Sequence, residues 1–225
     1  MKRPARLSGG NDAMRFDIPA MKPADRYKIL ASAITPRPIA WVTSQSAAGG
    51  RNAAPYSFFN FFGPDPATIV LGLMARPDGT LKDSDANILE TGEFVVNLVC
   101  EADAQAMNLT CIDAPPDVDE ITLAKLEVVA SDRVAPPRIV TAPASFECRL
   151  LHRLTLSAAQ TLMVAEVVMA HVADAYVLDE QRCHIDTGAM HLIARVHGAG
   201  VYLRSGDTFQ MDRPVWKDVA GNPGK

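Results

Sequence analysis

The feature that most constrains the fold is a series of short apolar runs, rich in β-branched and aromatic residues, with few helical segments between them. Such runs are typical of strands. They include RPIAWVTS (37–44), ATIVLGLMA (67–75) and EFVVNLVC (93–100). Because six or so strands follow one another without regular crossover helices, the pattern argues against a doubly wound sheet. It predicts a mainly β protein, an antiparallel barrel with a few short flanking helices.

Turn signals join several of these runs into hairpins. AAGGR (47–51) is a glycine-permitted reversal between RPIAWVTS and NAAPYSFFNFF (52–62). The short turn SAAQ (157–160) pairs the strand before it with TLMVAEVVMAHVAD (161–174). A short helix is predicted at PADRYKILASA (23–33), inside an N-terminal arm that otherwise mixes Pro, Gly and charge.

Composition limits the partners and the compartment. The chain has 225 residues, 22 Lys plus Arg against 26 Asp plus Glu, and dispersed positive charge, so nucleic acid is not an expected partner. The four cysteines form no CxxC pair, which favours a reducing compartment, and the basic N-terminus lacks the apolar centre of a secretion signal. We therefore expect a cytoplasmic protein. The segment MVAEVVMAHVADAYVL (163–178) is interrupted by Glu166, His171 and Asp174, and is expected to be a strand and not a membrane span.

The stretch RPDGTLKDSDANILETG (76–92) places several polar side chains between two strands. It predicts a helix of about two turns, capped by Asp83 or Ser84 and ended by Gly92. Free N–H groups at the helix start, with Lys82 and the Ser84 hydroxyl, would make an anion site that suits a phosphate. The plainer alternative is that these residues only cap the helix and that Arg76 and Lys82 are solvated.

The run NAAPYSFFNFF has a proline in mid-strand, which predicts a bulge or an edge. The small residues Ala53, Ala54 and Ser57 leave backbone and hydroxyl accessible, so a flat heteroaromatic ring could lie there. The alternative is that the four phenylalanines of this region, Phe58, Phe59, Phe61 and Phe62, are only core, which we expect of at least two of them.

Several ordered motifs resemble one family. TPRPIAWVTS, GGRNAAPYSFFNFFGPDPATIVLGL, RPDGTLKDSDANILETGEFVVNLV and ARVHGAGVYLRSGDTFQMDRP are similar to the flavin reductase-like, FMN-binding split-barrel proteins. The branch is that of flavoredoxin and the reductase component of nitrilotriacetate monooxygenase. The resemblance implies a six-stranded antiparallel Greek-key split β-barrel. It also implies an arm at 1–33, a flavin-binding domain at 34–214, a tail at 215–225, and a homodimer with FMN near its interface.

The resemblance also implies which residues hold the cofactor. The phosphate-side set is Arg76, Lys82, Asp83 and Ser84. The set beside the ring and ribityl chain is Asn52, Ala54, Pro55, Tyr56, Ser57 and Phe58, with a further polar contact from Thr43 and Ser44. His197 and Tyr202 match a late segment that can reach the flavin-side cavity; the alternative for His197 is a half-exposed place in a structural hairpin.

Other chemistries have little support in the sequence. The five histidines have no metal-like spacing, HExxH and GxSxG are absent, and HGAGVY lacks the third glycine of a dinucleotide fingerprint. The resemblance implies an NAD(P)H-dependent flavin oxidoreductase that passes electrons to a small molecule or a partner oxygenase, with NADH or NADPH as co-substrate. Two alternatives stay open: an FMN-binding electron carrier without nicotinamide activity, and a pyridoxamine-phosphate oxidase-like enzyme.

Overall fold

The computed structural model describes residues 13–76, 78–115, 118–198 and 200–216. Most of the predicted tail and the first twelve residues of the predicted arm lie outside this part of the chain. The described part is mainly β, as the strand runs predicted. None of its helices combines the length and apolar character that a membrane crossing requires.

Four α-helices and fourteen strands make up the described structure. The helices are α1 Pro23–Ala33, α2 Asp83–Thr91, α3 Ala104–Leu109 and α4 Glu120–Leu123, with 3-10 turns at Glu101–Asp103 and Asp174–Tyr176. The strands of the first half are β1 Arg37–Pro38, β2 Ala40–Gln45, β3 Arg51–Tyr56, β4 Phe59–Pro64, β5 Ala67–Met74 and β6 Glu93–Asn97. Those of the second half are β7 Val128–Val129, β8 Arg138–Ile139, β9 Ala144–Ser157, β10 Gln160–Val172, β11 Val177–Asp179, β12 His184–Ile185, β13 Ile193–Arg195 and β14 Tyr202–Arg204.

Seven of these strands form one antiparallel sheet in the order β3-β2-β6-β9-β10-β5-β4. The predicted hairpins are present as β2–β3 and β9–β10. Strands β6, β9 and β10 are neighbours in the sheet in that order. Strand β5 precedes β6 in the chain but lies beside β10 at the other end of this set, which is a Greek-key arrangement. The small sheet β1-β13-β14 lies outside this main sheet.

The sheet has two edge strands, β3 and β4, that follow each other in the chain with only Ser57 and Phe58 between them. The sheet must therefore curl until its two edges meet, although no ladder closes it among the described residues. The prediction of six strands counted NAAPYSFFNFF as one strand. The structure breaks that run at Ser57–Phe58 and so shows seven strands.

Two buried clusters fill the interior. Inside the curled sheet, Val42, Leu71, Phe94 and Met163 pack together with Ile88 of α2. A second cluster surrounds the fully buried Trp41. At least two of the four phenylalanines were expected to be core, but only Phe59 packs against the first cluster, and Phe61 and Phe62 are 60% and 67% exposed. Packing in the core therefore does not explain why this region has four phenylalanines.

Local sequence signals predicted three local features correctly and one wrongly. Helix α1 has the predicted bounds, Gly92 ends α2 in the left-handed conformation at φ 72°, and Pro55 lies on an edge strand. The predicted cap of α2 is wrong: the N-cap is Lys82, and no side chain caps the helix. Asp83 instead pairs with Arg76, seven residues earlier, and Ser84 bonds to Asn52, 32 residues earlier.

Candidate functional site

Two adjoining cavities lie between strand β3, the start of α2 and the loop after α3. The first has a volume of about 220 Å³ and the second about 250 Å³, and both are lined by Pro55, Tyr56 and Cys111. The first cavity is also lined by Asn52, Ala54, Arg76, Lys82, Asp83, Ser84, Thr110, Ile112, Asp113, Ala114 and Glu120. The second is also lined by Ile39, Ser57, Met107, Asn108, Arg195 and Tyr202. Most of the predicted cofactor residues are thereby brought together.

The beginning of α2 forms one end of the first cavity. Because no side chain caps the helix, the N–H groups of its first turn have no side-chain acceptor. Lys82 lines the cavity beside them and forms no ion pair with the described part of the chain. A helix N-terminus with an adjacent ammonium is a favourable place for an anion.

Arg76 is held by its own neighbours. Its guanidinium donates to a carboxylate oxygen of Asp83 at 2.8 Å and to the carbonyl oxygen of Leu81. Both side chains of the ion pair are about three-quarters buried. Asp83 therefore offsets the charge of Arg76, and Lys82 is left as the cation best placed to meet an anionic ligand.

A buried polar network forms the floor of the first cavity. The hydroxyl of Ser84 lies 2.6 Å from the side-chain amide of Asn52. When the Asn52 amide is oriented to satisfy its neighbours, its nitrogen donates to Glu120 at 3.1 Å and its oxygen accepts from Ser84. Burial raises the pKa of Glu120, so this carboxyl retains its proton more readily than an exposed one. The network thus connects β3, α2 and α4 beneath the cavity.

Tyr56 has a buried phenol oxygen without a hydrogen-bond partner among the described residues. Its ring lines both cavities. Burial raises the pKa of Tyr56, and the Ser84 hydroxyl, close by but outside hydrogen-bond geometry, opposes this in part. The carboxylates of Asp85 and Asp83 add to the rise, so the phenol stays neutral and remains a donor. A buried donor without an acceptor is uncommon and indicates that a ligand supplies the acceptor.

The second cavity has the character of a ring site. Ser57 offers its hydroxyl beside Pro55, and Met107 and Ile39 supply apolar wall. The guanidinium of Arg195, which also lines this cavity, stacks on the ring of Tyr202, 4.9 Å from its centroid. A lining that combines apolar surface with several polar groups suits an aromatic heterocycle.

Four predicted residues are not at these cavities. Thr43 and Ser44 are fully buried; the Thr43 hydroxyl donates to the Pro137 carbonyl at 2.6 Å, and Ser44 accepts from Asn87 at 3.1 Å. Phe58 packs edge-on against Tyr27 of α1, with ring centroids 6.1 Å apart. His197 lines a different cavity, so the structure separates it from Tyr202.

Sequence reasoning missed Glu120, Arg195 and the wall formed by Thr110–Ala114. Glu120 is placed by Asp119, which caps α4 and pairs with Arg51 at 2.6 Å. The loop wall is anchored where Trp41 donates to the Thr110 hydroxyl at 3.0 Å. The capping pattern of α4 could have been found in the sequence, whereas the contacts to Arg51 and Trp41 have no local signal.

A separate polar cluster joins Asp132, Glu147 and His171, whose candidate ligand atoms lie within 4.8 Å of one another. Histidine spacing did not suggest this cluster. The oxygens of Glu147 already accept from the Asp132 and Arg133 amides at 2.8 and 2.6 Å, and one of them lies 2.6 Å from His171 Nε2. Because the oxygens of Glu147 already accept hydrogen bonds within the chain, this side chain is better suited to holding the loop at Asp132–Arg133 against strand β9 than to binding a metal ion.

Comparison with known proteins gives the family. The family model described as "Flavin reductase like domain" matches residues 32–187. The chain belongs to the flavin reductase-like family. This confirms the resemblance seen in its motifs. The match includes β3, α2 and the loop after α3, which line most of both cavities, whereas Arg195 and Tyr202 lie beyond it.

Relatives of this family member cover nearly its whole length. A Deinococcus radiodurans protein is 37% identical over 202 residues, 88% of each chain. The crystal structure of nitrilotriacetate monooxygenase component B from Bacillus cereus is 32% identical, with a TM-score of 0.82 over 90% of this chain and all of that one. Pseudomonas fluorescens 2-nitrobenzoate 2-nitroreductase is 28% identical, with a TM-score of 0.82 over 90% of this chain and 98% of that one.

Proposed function

We propose that this protein binds FMN across the two cavities and acts as an NAD(P)H-dependent flavin oxidoreductase. The observation that carries the proposal is the continuity of the site: an uncapped helix start with Lys82 at one end, the unpartnered phenol of Tyr56 in the middle, and Ser57 at the other end. Membership of the flavin reductase-like family supports it.

The residues present fit such a cofactor. Lys82 and the first turn of α2 would hold the phosphate, since a dianion there gains both charge and N–H donors. Tyr56 and Ser57 would donate to oxygen or nitrogen atoms of the ribityl chain or ring, and Arg195 with Tyr202 would flank the ring side. When bound, FMN would supply the redox chemistry, because flavins accept hydride and release electrons.

The protein's own contribution would be binding, orientation and electrostatics. Tyr56 stays neutral, so it can donate a hydrogen bond without adding negative charge. Asp83 keeps Arg76 in place, so that the ion pair shapes the turn before α2. The loop wall at Thr110–Ala114 would bound one side of a cofactor held in the first cavity.

The proposal also includes a second copy of the chain and an electron acceptor. A homodimer would cover the exposed phenylalanines of the edge strand β4. Reduced flavin would pass electrons to a small molecule or to a partner oxygenase. The similarity to a monooxygenase component and to a nitroreductase supports both kinds of acceptor.

Steady-state oxidation of NADH and of NADPH, with and without added FMN, tests the activity. We expect FMN-stimulated oxidation of at least one nicotinamide, together with a flavin absorbance spectrum that changes on binding. Flavin binding without nicotinamide oxidation would favour the electron carrier instead. A protein that leaves the absorbance and fluorescence of FMN unchanged would contradict both functions.

A further inference from the structure

A third cavity of about 780 Å³ lies between helix α1 and the segment around Arg195–Gly198. We call it the arm cavity. It is lined by Pro23, Ala24, Tyr27, Lys28, Ala31, Ser32, Arg37, Met74, Arg195, Val196, His197 and Gly198. Its volume is within the range of small-molecule sites and exceeds that of either cavity assigned above to the flavin.

The lining of the arm cavity combines apolar wall with basic side chains. Tyr27, Ala31 and Met74 supply apolar surface, and Lys28, Arg37, Arg195 and His197 supply the basic groups, whereas no Asp or Glu is among the lining residues that the structure describes. The nearest carboxylate on α1, Asp25, pairs with Lys28 at 3.0 Å, and both are solvent-accessible. An apolar molecule with a negative charge therefore matches this lining better than a neutral or cationic one.

Arg37 builds the arm cavity with both of its terminal nitrogens bonded within the chain, whereas its Nε is buried without a partner among the described residues. Its guanidinium donates to the carbonyl oxygens of Ala31 and Ile34 at the end of α1, and to that of Val196 at 2.9 Å. The side chain is buried. These bonds attach α1 to the segment after β13 and keep the two walls apart at a fixed spacing.

Arg195 has a terminal guanidinium nitrogen with unused hydrogen-bonding capacity. One terminal nitrogen, Nη2, donates to the Gly198 carbonyl at 2.9 Å, whereas Nη1 is buried and has no partner among the described residues. The guanidinium is fixed by its stacking on Tyr202. A fixed, buried and unpaired N–H group is a specific recognition point for an oxygen anion.

We propose that the arm cavity binds an aromatic carboxylate, with its carboxylate on Arg195 and its ring among Tyr27, Ala31 and Met74. One charge is favoured over two because both terminal nitrogens of Arg37 are engaged within the chain and Lys28 is exposed and paired. Arg195 also lines the second cavity, so this ligand would lie next to the flavin ring site. The inference goes beyond the proposed function, since binding here needs no flavin.

Calorimetric titration of the flavin-free full chain with benzoate, and with benzamide as a neutral ligand of the same shape, tests the proposal. We expect benzoate to bind about ten- to a hundredfold more tightly, the usual effect of a charge-assisted hydrogen bond. Absence of benzoate binding at millimolar concentration, or equal binding of the two ligands, would overturn it. Phenyl phosphate, a dianion, is expected to bind more weakly than benzoate, and tighter binding would overturn the carboxylate assignment.

Two variants locate the site. Ser32→Trp places an indole in the arm cavity from an exposed position of α1, and should reduce benzoate affinity at least tenfold while leaving FMN affinity unchanged. Arg195→Gln should abolish the preference for benzoate over benzamide, and Arg195→Lys should restore part of it. Arg182→Gln, at an exposed site outside the cavity, is the matched control. Unchanged benzoate affinity in both Ser32→Trp and Arg195→Gln would show that benzoate binds elsewhere.

Discussion

The carboxylate of Asp83 lies 2.8 Å from a guanidinium nitrogen of Arg76, so two residues expected to face a phosphate bind each other. This pairing assigns different roles within the polar stretch at 76–92. Arg76 and Asp83 shape the turn before α2, and Lys82 is the cation that the cavity offers to a ligand.

Lys82→Ala should weaken FMN far more than riboflavin, because only FMN has a phosphate to pair with the ammonium. A charge-assisted hydrogen bond contributes about 1.5–3 kcal/mol, roughly ten- to a hundredfold in affinity. Ser57→Ala is the contrast, since its hydroxyl lies on the ring side and both flavins should lose a similar, smaller amount, about 0.5–1.5 kcal/mol. Calorimetric titration of both flavins measures this. Equal weakening of the two by Lys82→Ala would mean that Lys82 is a solvated residue at the helix start.

Tyr56→Phe should have opposite effects on stability and on binding. In the flavin-free protein the buried phenol has no partner among the described residues, so its removal should leave the free energy of unfolding unchanged or raise it. If the phenol donates to the flavin, the same change should weaken FMN and riboflavin alike by about 0.5–1.5 kcal/mol. Denaturant unfolding and flavin titration of one preparation test both. Loss of stability with unchanged flavin affinity would assign the phenol to the protein's own packing.

Local sequence signals predicted those parts of the fold that depend on neighbours in the chain. The reversal at AAGGR, the end of α2 at Gly92 and the bounds of α1 are of this kind. Local signals did not predict that α2 lacks a side-chain cap, because the side chain of Asp83 bonds to Arg76 and that of Ser84 bonds to Asn52. Thr43 and Ser44 were expected near the flavin, yet each is fully buried and bonded to Pro137 or Asn87, groups far along the chain.

The residues of the candidate site also divide into those that local sequence predicted and those that it did not. Residues on β3 and at the start of α2 were found because each lies within a continuous motif. Glu120 reaches the first cavity from the short helix α4, which Arg51 holds through Asp119. Arg195 reaches the second from the short strand β13, beside which Arg37 bonds to Val196. Such long-range contacts leave no pattern in a single sequence.

Replacement of two exposed phenylalanines should test the proposed homodimer. Phe61 and Phe62 are 60% and 67% exposed on an edge strand, a combination that usually needs a covering surface. The double variant Phe61→Glu/Phe62→Glu should change the mass by light scattering from dimer to monomer at micromolar concentration. Leu178→Glu is the matched control, since Leu178 is 68% exposed on β11. A monomeric wild-type protein with FMN present, or a dimeric double variant, would contradict the proposal.

Glu147→Gln should destabilise the fold in a pH-dependent way. Burial acts to raise the pKa of Glu147, but the Asp132 and Arg133 amides and His171 outweigh it and hold the pKa below the ordinary 4.5. A lowered pKa in the folded state contributes stability that is present above the unfolded-state value and is lost as pH falls through the folded-state value. At pH 7 the variant should therefore lose about 1–3 kcal/mol for an amide left unpaired, and the gap to wild type should narrow once the pH falls below 4.5.

Glu120→Gln provides a control of opposite sign. Burial raises the pKa of Glu120, so the folded state disfavours the ionised carboxylate. Ionisation of Glu120 therefore lowers the free energy of unfolding as pH rises above the ordinary 4.5. The substitution should therefore cost less stability at pH 7 than at low pH, or should stabilise the protein at pH 7. Urea unfolding of wild type and both variants from neutral to acid pH measures the two trends. A gap between Glu147→Gln and wild type that stays constant over this range would show that the ionised state of Glu147 contributes nothing to the fold.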